Sequence, residues 1–564
     1  MDIVSWTLTS ETAETSKPLL IDAANPSRFL TFNGVRKVVR QLVSGLKARG
    51  IQPGDCVCVA SFNDIHYTPL YLGVIGAGAR FTGVNPSYTA PELTHHVQLT
   101  GAKMLIVEPA MLNTALETAR NCGIPASSVF VFDVQDQNPN QDIQSWEELL
   151  TDGEKDWVRV NNPSSTVASY CTTSGTSGLP KAAMISHSYL VSQAALRRSP
   201  YLSYEPIILL CLPQFHVFAS PIAPASVRQG HPTYVMRRYH PSHFIKCIVN
   251  FQITETYMAP PVLIGLPQSP LCTKDAMRSI RQIWMGGAGV KYVNMLPMYE
   301  RLAPEARIMQ VWGMTEVGWV TTFPFPELSR DDSVGRVLDG FKVQIIDDSD
   351  NIIGADNEAG ELLIRAPAPM LGYLGNEKAT AETLDRHGWV RSGDIGYRSQ
   401  GKIYVVDRKK DLIKVRGWQV SPAEVESAIL AHPDVLDAGV ISVNLPDGSG
   451  EVPKAYVVCK PESSLTEVDI KNFARKSLAS YKMPEQVVFR NTIPRNPTGK
   501  ILRRVLRDEN VKGSGEKVVK AKIESLRMSE PAMKGGLLVV WWRMVLADVR
   551  LRALFCWLRA CCGM

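Results

Sequence analysis

Short apolar runs and helix-spaced stretches take turns along the first 340 residues or so. Runs such as Cys56–Ala60 and 104–107 have the length of buried strands, whereas 35–49 places its apolar residues three and four apart. That alternation predicts βα units around a mainly parallel sheet. Between about 340 and 407 the texture changes to β-rich runs (FKVQIID, ELLIRA, KIYVVD) separated by Gly, Asp and Asn, and a β-barrel-like subdomain is expected there. After VVDRKKDLIKVRG an α/β pattern resumes, with helix signals at 421–431 and 466–480. The pattern therefore predicts an α/β chain: a large N-terminal domain over 1–407, a boundary at 408–411, a small α+β C-terminal domain over 412–505, and a tail over 506–564.

Length agrees with this division, because 564 residues exceed what one hydrophobic core organises. The formal charge of +6 changes little: the stretch 505–564 holds 11 Lys/Arg against 6 Asp/Glu, leaving 50 against 49 in the rest. A nearly neutral body without groove-reading or stacking motifs argues against a nucleic-acid partner. The 11 cysteines are odd in number and scattered, and no signal peptide opens the sequence, so a reducing, cytoplasmic setting is expected. Cys56 and Cys58 alternate inside an apolar run, as one face of a strand does, and are read as core rather than as a metal pair.

The densest chemistry lies in YCTTSGTSGLPK, residues 170–181. Glycines let backbone N–H groups approach an anion, hydroxyls add donors, and a lysine adds positive charge. Thr173, Ser174, Gly175, Thr176, Ser177 and Gly178, closed by Lys181, thus form a candidate phosphate cradle. It is not a Walker A loop, since Pro180 precedes Lys181 and Ala182 follows it. A flexible Ser/Gly linker is the alternative, against which stands the embedded Leu-Pro-Lys that leads straight into apolar sequence.

TTSGTSGLPK resembles the phosphate loop of the adenylate-forming superfamily of acyl-CoA synthetases, luciferases and peptide-synthetase adenylation domains. Further motifs follow in that family's order: LPQFHVFAS around His216, MGGAG at 285–289, QVWGMTE at 310–316, GELLIRAP at 360–367, RSGDIGY at 391–397, VDRKKDLIKVRGWQVSPAEVE at 406–426 and PRNPTGK at 494–500. They span residues 30 to 505 or so, and the texture is most similar to the 4-coumarate:CoA ligase-like branch. The resemblance implies a mobile C-terminal lid on a hinge at 408–411. It also implies ATP, Mg²⁺ and coenzyme A as cofactor and co-substrates, and a small-molecule carboxylic acid as substrate.

By the same resemblance, Lys500 would be the catalytic lysine that reaches from the lid to the carboxylate and α-phosphate; taken alone it would pass for a solvated surface lysine. Glu316 would hold Mg²⁺ on the phosphates, a hard-oxygen site suited to that ion, and Thr315 would contact the AMP phosphate. Asp394 would accept hydrogen bonds from the ribose, as an acceptor-only side chain can, with Arg408 beside it; alone, it reads as readily as a turn residue. Gly287, Ala288, Gln310, Val311 and Trp312 would line the adenine and acyl channel, Trp312 standing where many members carry Tyr. His216, Phe218 and Met258 would wall the acyl pocket. Lys410 matches the hinge position, and Lys414, Arg416 and Gly417 match residues near the acyl phosphate or CoA in a rotated state. Arg238 stands where relatives often carry a lysine for a CoA phosphate. Gly289 departs from the pattern, since relatives commonly have proline there, so the loop lacks that rigid residue.

The tail ends in GGLLVVWWRMVLADVRLRALFCWLRACCGM. Arg543, Asp548, Arg550, Arg552 and Arg559 interrupt it, each costing about 2.5–3.5 kcal/mol at a bilayer centre, so no transmembrane span is expected. Weak contact with a membrane surface is the most this stretch would support, and it is read as an atypical terminus without a catalytic role. Its Cys-Gly-Met end is not a Ser-Lys-Leu-type peroxisomal address. The expected activity is an acyl-CoA ligase of secondary metabolism. The alternatives are an acyl-AMP ligase that loads a carrier protein, for which no appended attachment domain is evident, and a non-catalytic nucleotide- or acyl-binding module.

Overall fold

Two largely parallel sheets carry the N-terminal part of this computed structural model, which describes residues 1–10, 16–134, 142–173, 180–196, 202–328, 330–415, 418–445, 451–478, 480–496 and 499–510. The six-stranded sheet runs Val129–Val131, Ala102–Val107, Cys56–Ala60, Arg80–Gly83, Val167–Thr173 and Lys181–Ser186, and only its last strand is antiparallel. Cys56–Ala60 sits in its middle with every residue buried. Val57 and Val59 pack into one apolar cluster, while Cys56, Cys58 and Ala60 pack into another. The two cysteines thus share one face of a strand buried on both sides, and burial pushes the Cys56 thiol up to about 12.

The nine-stranded sheet has Arg307–Met314, Gln282–Gly286, Glu255–Met258, Ile208–Leu210, Thr233–Val235 and Pro18–Asp22 as parallel neighbours in that order. Antiparallel strands flank them at both edges. The helix expected over 35–49 is Phe32–Ala48; it begins earlier because the Thr31 hydroxyl accepts the Gly34 N–H at 3.0 Å and caps the first turn.

The β-rich stretch forms Lys342–Ile346, Gly360–Arg365, Trp389–Ser399 and Lys402–Arg408, an antiparallel four-stranded sheet rather than a closed barrel. Its outer strand is tied by backbone bonds from Val334 N–H to Ile403 O and from Ile403 N–H to Gly335 O, both 2.8 Å. Beyond it, Val435–Asn444, Glu451–Cys459 and Gln486–Phe489 make a small sheet that shares an apolar core with helices Pro422–Leu430 and Glu467–Ala474. The first of these helices opens on the Ser421 cap with Pro422 in its first turn. The second stops well short of 480, because the chain tightens into three-residue turns: Lys476 N–H reaches Phe473 O and Ser477 N–H reaches Ala474 O, both at 3.1 Å.

Residues 1–503 form one compact unit; the other, 504–564, is described only through Asn510. Among the described residues no helix is long and apolar enough to cross a membrane. The surface contact expected of the tail falls on 511–564, outside the described residues.

Candidate active site

Gln282–Gly286 and Arg307–Met314 run side by side with Met285 opposite Gln310 and Gly286 opposite Val311. A cavity of about 390 Å³ opens where these strands end, the carboxyl edge at which open α/β sheets receive ligands. Neighbouring residues on a strand face opposite ways, so Val311 and Gly313 stand on the cavity wall while Gln310 and Trp312 stand behind it. Gln310 is buried and spends its amide on the adjoining loops: Oε1 accepts the Val290 N–H at 3.0 Å and Nε2 donates to Ser333 O at 3.2 Å. Trp312 is buried too, and its Nε1 donates to Asp394 Oδ2 at 2.8 Å. Both are therefore supports of the wall, not the lining expected of them.

The turn from Arg307–Met314 into Gly318–Thr322 carries Thr315 and Glu316 to the cavity. It closes so tightly that a Cβ on Gly313 would stand 2.0 Å from Gly318 O, which only glycine tolerates. Tyr189 Oη donates to Thr315 O at 2.9 Å, and Tyr373 Oη donates to Glu316 Oε1 at 2.5 Å. The Tyr373 ring in turn lies 4.8 Å from Lys181 Nζ. Thr173 and Lys181 pair across two antiparallel strands at the cavity rim. Between them, Ser174, Gly175, Thr176, Ser177 and Gly178 lie outside the described residues.

Asp394 is buried opposite Arg408 in the four-stranded sheet, with Arg408 Nε 3.2 Å from its Oδ1. Arg408 lines the cavity, so the carboxylate sits just behind that rim, held between an indole N–H and a guanidinium. Lys500 also lines it. Asn496 Oδ1 accepts the Lys500 N–H and Asn496 N–H donates to Lys500 O, both at 2.8 Å. Gly499 has φ +81°, and a Cβ there would stand 2.8 Å from Pro261 Cδ, so glycine lets this turn seat against 259–261. Burial and the nearby Arg408 cation lower the Lys500 ammonium to about 8, Asp394 opposing them.

His216 faces the same cavity and is pushed down to about 4 by burial and then by the Lys500 charge. It is neutral near pH 7. Its Nδ1 accepts the Phe218 N–H at 3.3 Å, which leaves the ring proton on Nε2 as a donor. Phe218 and Gly287 complete this side of the wall.

Other expected positions fall elsewhere. Met258 is fully buried in an apolar core and is not a pocket wall. Ala288 is exposed on its loop, and around Gly289 a Cβ would meet nothing within 4 Å. Arg238 lies over the Phe62 ring, 3.5 Å from its centroid, outside the cavity lining. Lys410 is exposed. Arg416, Gly417 and the Lys414 side chain lie outside the described residues. Sequence reasoning missed Tyr373 and Trp319, both on the wall, and Asn496, although the PRNPTGK motif contains it.

The donor set suits a divalent cation carried on phosphates. Tyr373 occupies one Glu316 oxygen, and the other oxygen with the Thr315 hydroxyl on the same wall makes a sparse hard-oxygen set of the kind Mg²⁺ completes with phosphate and water.

Residues 9–374 match the model for AMP-binding enzymes and 424–500 the model for their C-terminal domain. Over 521 residues the chain is 38% identical to a phenylacetyl-CoA ligase of Aspergillus niger, covering 90% of this chain and 96% of that one. Over 526 residues it is 32% identical to a 4-coumarate–CoA ligase of Oryza sativa subsp. japonica, covering 91% and 93%. A solved benzoate CoA ligase from Burkholderia xenovorans LB400 shares the fold at 22% identity, with a TM-score of 0.79 over 90% of this chain and 100% of that one. The matched segments contain most of the residues that line the cavity, Arg408 and the strand that carries residues 391–393 lying between them, and the chain belongs to the AMP-binding enzyme family.

Proposed function

We propose that this cavity runs two half-reactions of an ATP-dependent acid–CoA ligase. A carboxylate oxygen attacks the α-phosphorus of ATP, giving acyl-AMP and pyrophosphate; the CoA thiolate then attacks the acyl carbon and displaces AMP. The family and its acyl-CoA ligase relatives carry the overall activity. The observation that carries the residue assignment is the convergence of Lys181, Thr315, Glu316 and Lys500 on one cavity, though they come from three distant parts of the chain.

Bringing a carboxylate against a polyphosphate demands positive charge where negative charge develops. Lys500 bridges the carboxylate and the α-phosphate oxygens, and Lys181 with Thr173 serves the leaving phosphates. Glu316 would hold Mg²⁺, which when bound would supply charge neutralisation on those phosphates. Asp394, just behind the rim that Arg408 forms, is assigned to the ribose hydroxyls by resemblance alone. His216, neutral, donates from Nε2 to a carboxylate or acyl oxygen and adds no charge that would compete with Lys500.

For the thiol to reach the acyl carbon, Lys500 has to withdraw. A hinge at Lys410 would do this, a reading supported by the position of 408–411 between the two family segments. Arg238, Lys414, Arg416 and Gly417 are assigned to the CoA side by resemblance alone. The tail takes no part in either half-reaction. A pyrophosphate-release screen over a panel of acids, with and without CoA, tests this reading: turnover with at least one acid should rise when CoA is added, and release that never responds to CoA would sink it.

The charge on Lys500 also fixes a pH dependence. Its ammonium form is the active one, and its pKa is lowered to about 8, so the charge is present below that pH and lost above it. The kcat/KM for ATP in acyl-AMP formation should therefore fall as pH rises through about 8 in the free enzyme. A rate that is flat to pH 10 would contradict the assignment.

A further inference from the structure

The wall on which Phe218 stands is built from rings. Phe218 stacks on Trp319 with centroids 5.0 Å apart and planes 26° apart. Trp319 leans on Trp284 at 5.5 Å, and Trp284 stacks on Tyr257 at 6.2 Å with planes 8° apart. The row is fixed from behind: Trp284 Nε1 donates to Glu255 Oε2 at 3.1 Å, and Tyr204 Oη donates to Glu255 Oε1 at 2.8 Å. Glu255 is buried, so moving Trp284 would strand a carboxylate without one of its donors. Trp319, which backs Phe218, is thus packed against a ring that is itself held in place.

On its other side, Phe218 packs closely against Gly286, where a Cβ would stand 2.8 Å from the ring. The apolar recess beside His216 is walled by Leu212, Pro213, Ala219, Ala259 and the two glycines 286 and 287, with Phe218 as a further wall. The adjoining cavity of about 390 Å³ has to receive a nucleotide as well as the acid, and it lies toward the small end of the roughly 300–1,000 Å³ usual for pockets that hold one ligand. Little depth is left for an acyl chain, whereas a flat ring gains from lying along Phe218 and Trp319.

Resting on the acid-ligase reading above, we propose that Phe218, backed by Trp319, sets the length limit of the acyl site, and that the acid carries a flat ring within one or two carbons of its carboxylate. Phe218 and Trp319 are then specificity-determining residues, and Gly286 is the position that gives Phe218 its place.

The test compares phenylacetate and benzoate with octanoate by ATP-dependent pyrophosphate release, in the full chain and in Phe218→Ala and Phe218→Leu. The wild-type protein should favour the better ring acid over octanoate by about tenfold or more in kcat/KM, and each variant should shift that ratio toward octanoate by about tenfold or more, mainly through KM. A wild-type protein that uses octanoate as well as either ring acid overturns the proposal, as does an unchanged ratio in both variants. If neither variant folds, the wild-type ratio alone decides. Release with octanoate but not with the ring acids overturns this inference and leaves the ligase reading standing; no release with any of the three acids or with other carboxylic acids overturns both.

Discussion

Replacing Lys500 with alanine is expected to slow acyl-AMP formation by about 10²–10³-fold, the usual loss when one preorganised positive or hydrogen-bonding group is removed from a developing oxyanion. The reason is geometric as well as electrostatic. The ammonium lines the cavity on a turn that Asn496 and Gly499 hold in place, and burial beside Arg408 means that its charge is poorly screened by water. Transfer of the acyl group from preformed acyl-AMP to CoA should lose far less if, as proposed, Lys500 withdraws before that step. Single-turnover assays that start from acid plus ATP, and separately from synthetic acyl-AMP, check the split. Equal losses in the two would mean that the lysine acts in both steps or that the variant is misfolded.

Asp394→Ala carries the next largest effect, and it should appear in the KM for ATP. A hydrogen bond to a charged group is worth about 1.5–3 kcal/mol, so losing the ribose acceptor should raise that KM by roughly 10–100-fold. The variant also leaves Trp312 Nε1 without its acceptor and Arg408 without its counter-ion. Asp394→Asn separates the two causes: it keeps an acceptor for the indole but loses the charge that pairs with Arg408, so its KM should lie between those of Ala and the native enzyme. Steady-state kinetics with ATP varied at saturating acid measures this. A KM for ATP that does not move in the Ala variant would remove Asp394 from the nucleotide site.

Much of the architecture was legible because period two and period three-to-four patterns report which face of an element is buried. Cys56 and Cys58 are the clearest instance, sharing one face of a strand whose other face is Val57 and Val59. Motifs located the cavity's main charged groups as well, since Lys181, Glu316, Arg408 and Lys500 all reach it. What motifs could not give was the facing of individual strand residues. QVW reads as one block, yet Val311 reaches the cavity while Gln310 and Trp312 point behind it, which follows from strand alternation once the register with Gln282–Gly286 is fixed. Met258 was misplaced for the same reason: every residue of Glu255–Met258 is buried, so composition does not tell the two faces apart.

Tyr373 and Trp319 were missed because their partners are remote in sequence. Tyr373 reaches Glu316 across 57 positions, and nothing in its own neighbourhood separates it from an ordinary core tyrosine. The end of the helix signal at 466–480 was overrun because the three-residue turns after Ala474 keep an apolar spacing much like that of a helix.

The central claim is that an acyl-AMP forms by attack of the acid's own oxygen on the α-phosphorus. Turnover of an acid labelled with ¹⁸O in both carboxylate oxygens, with Mg·ATP and CoA, followed by mass analysis of the products, tests it directly. One ¹⁸O should appear in AMP, one should remain in the acyl thioester, and pyrophosphate should carry none. Label in a released phosphate or pyrophosphate, or ADP in place of AMP, would contradict it.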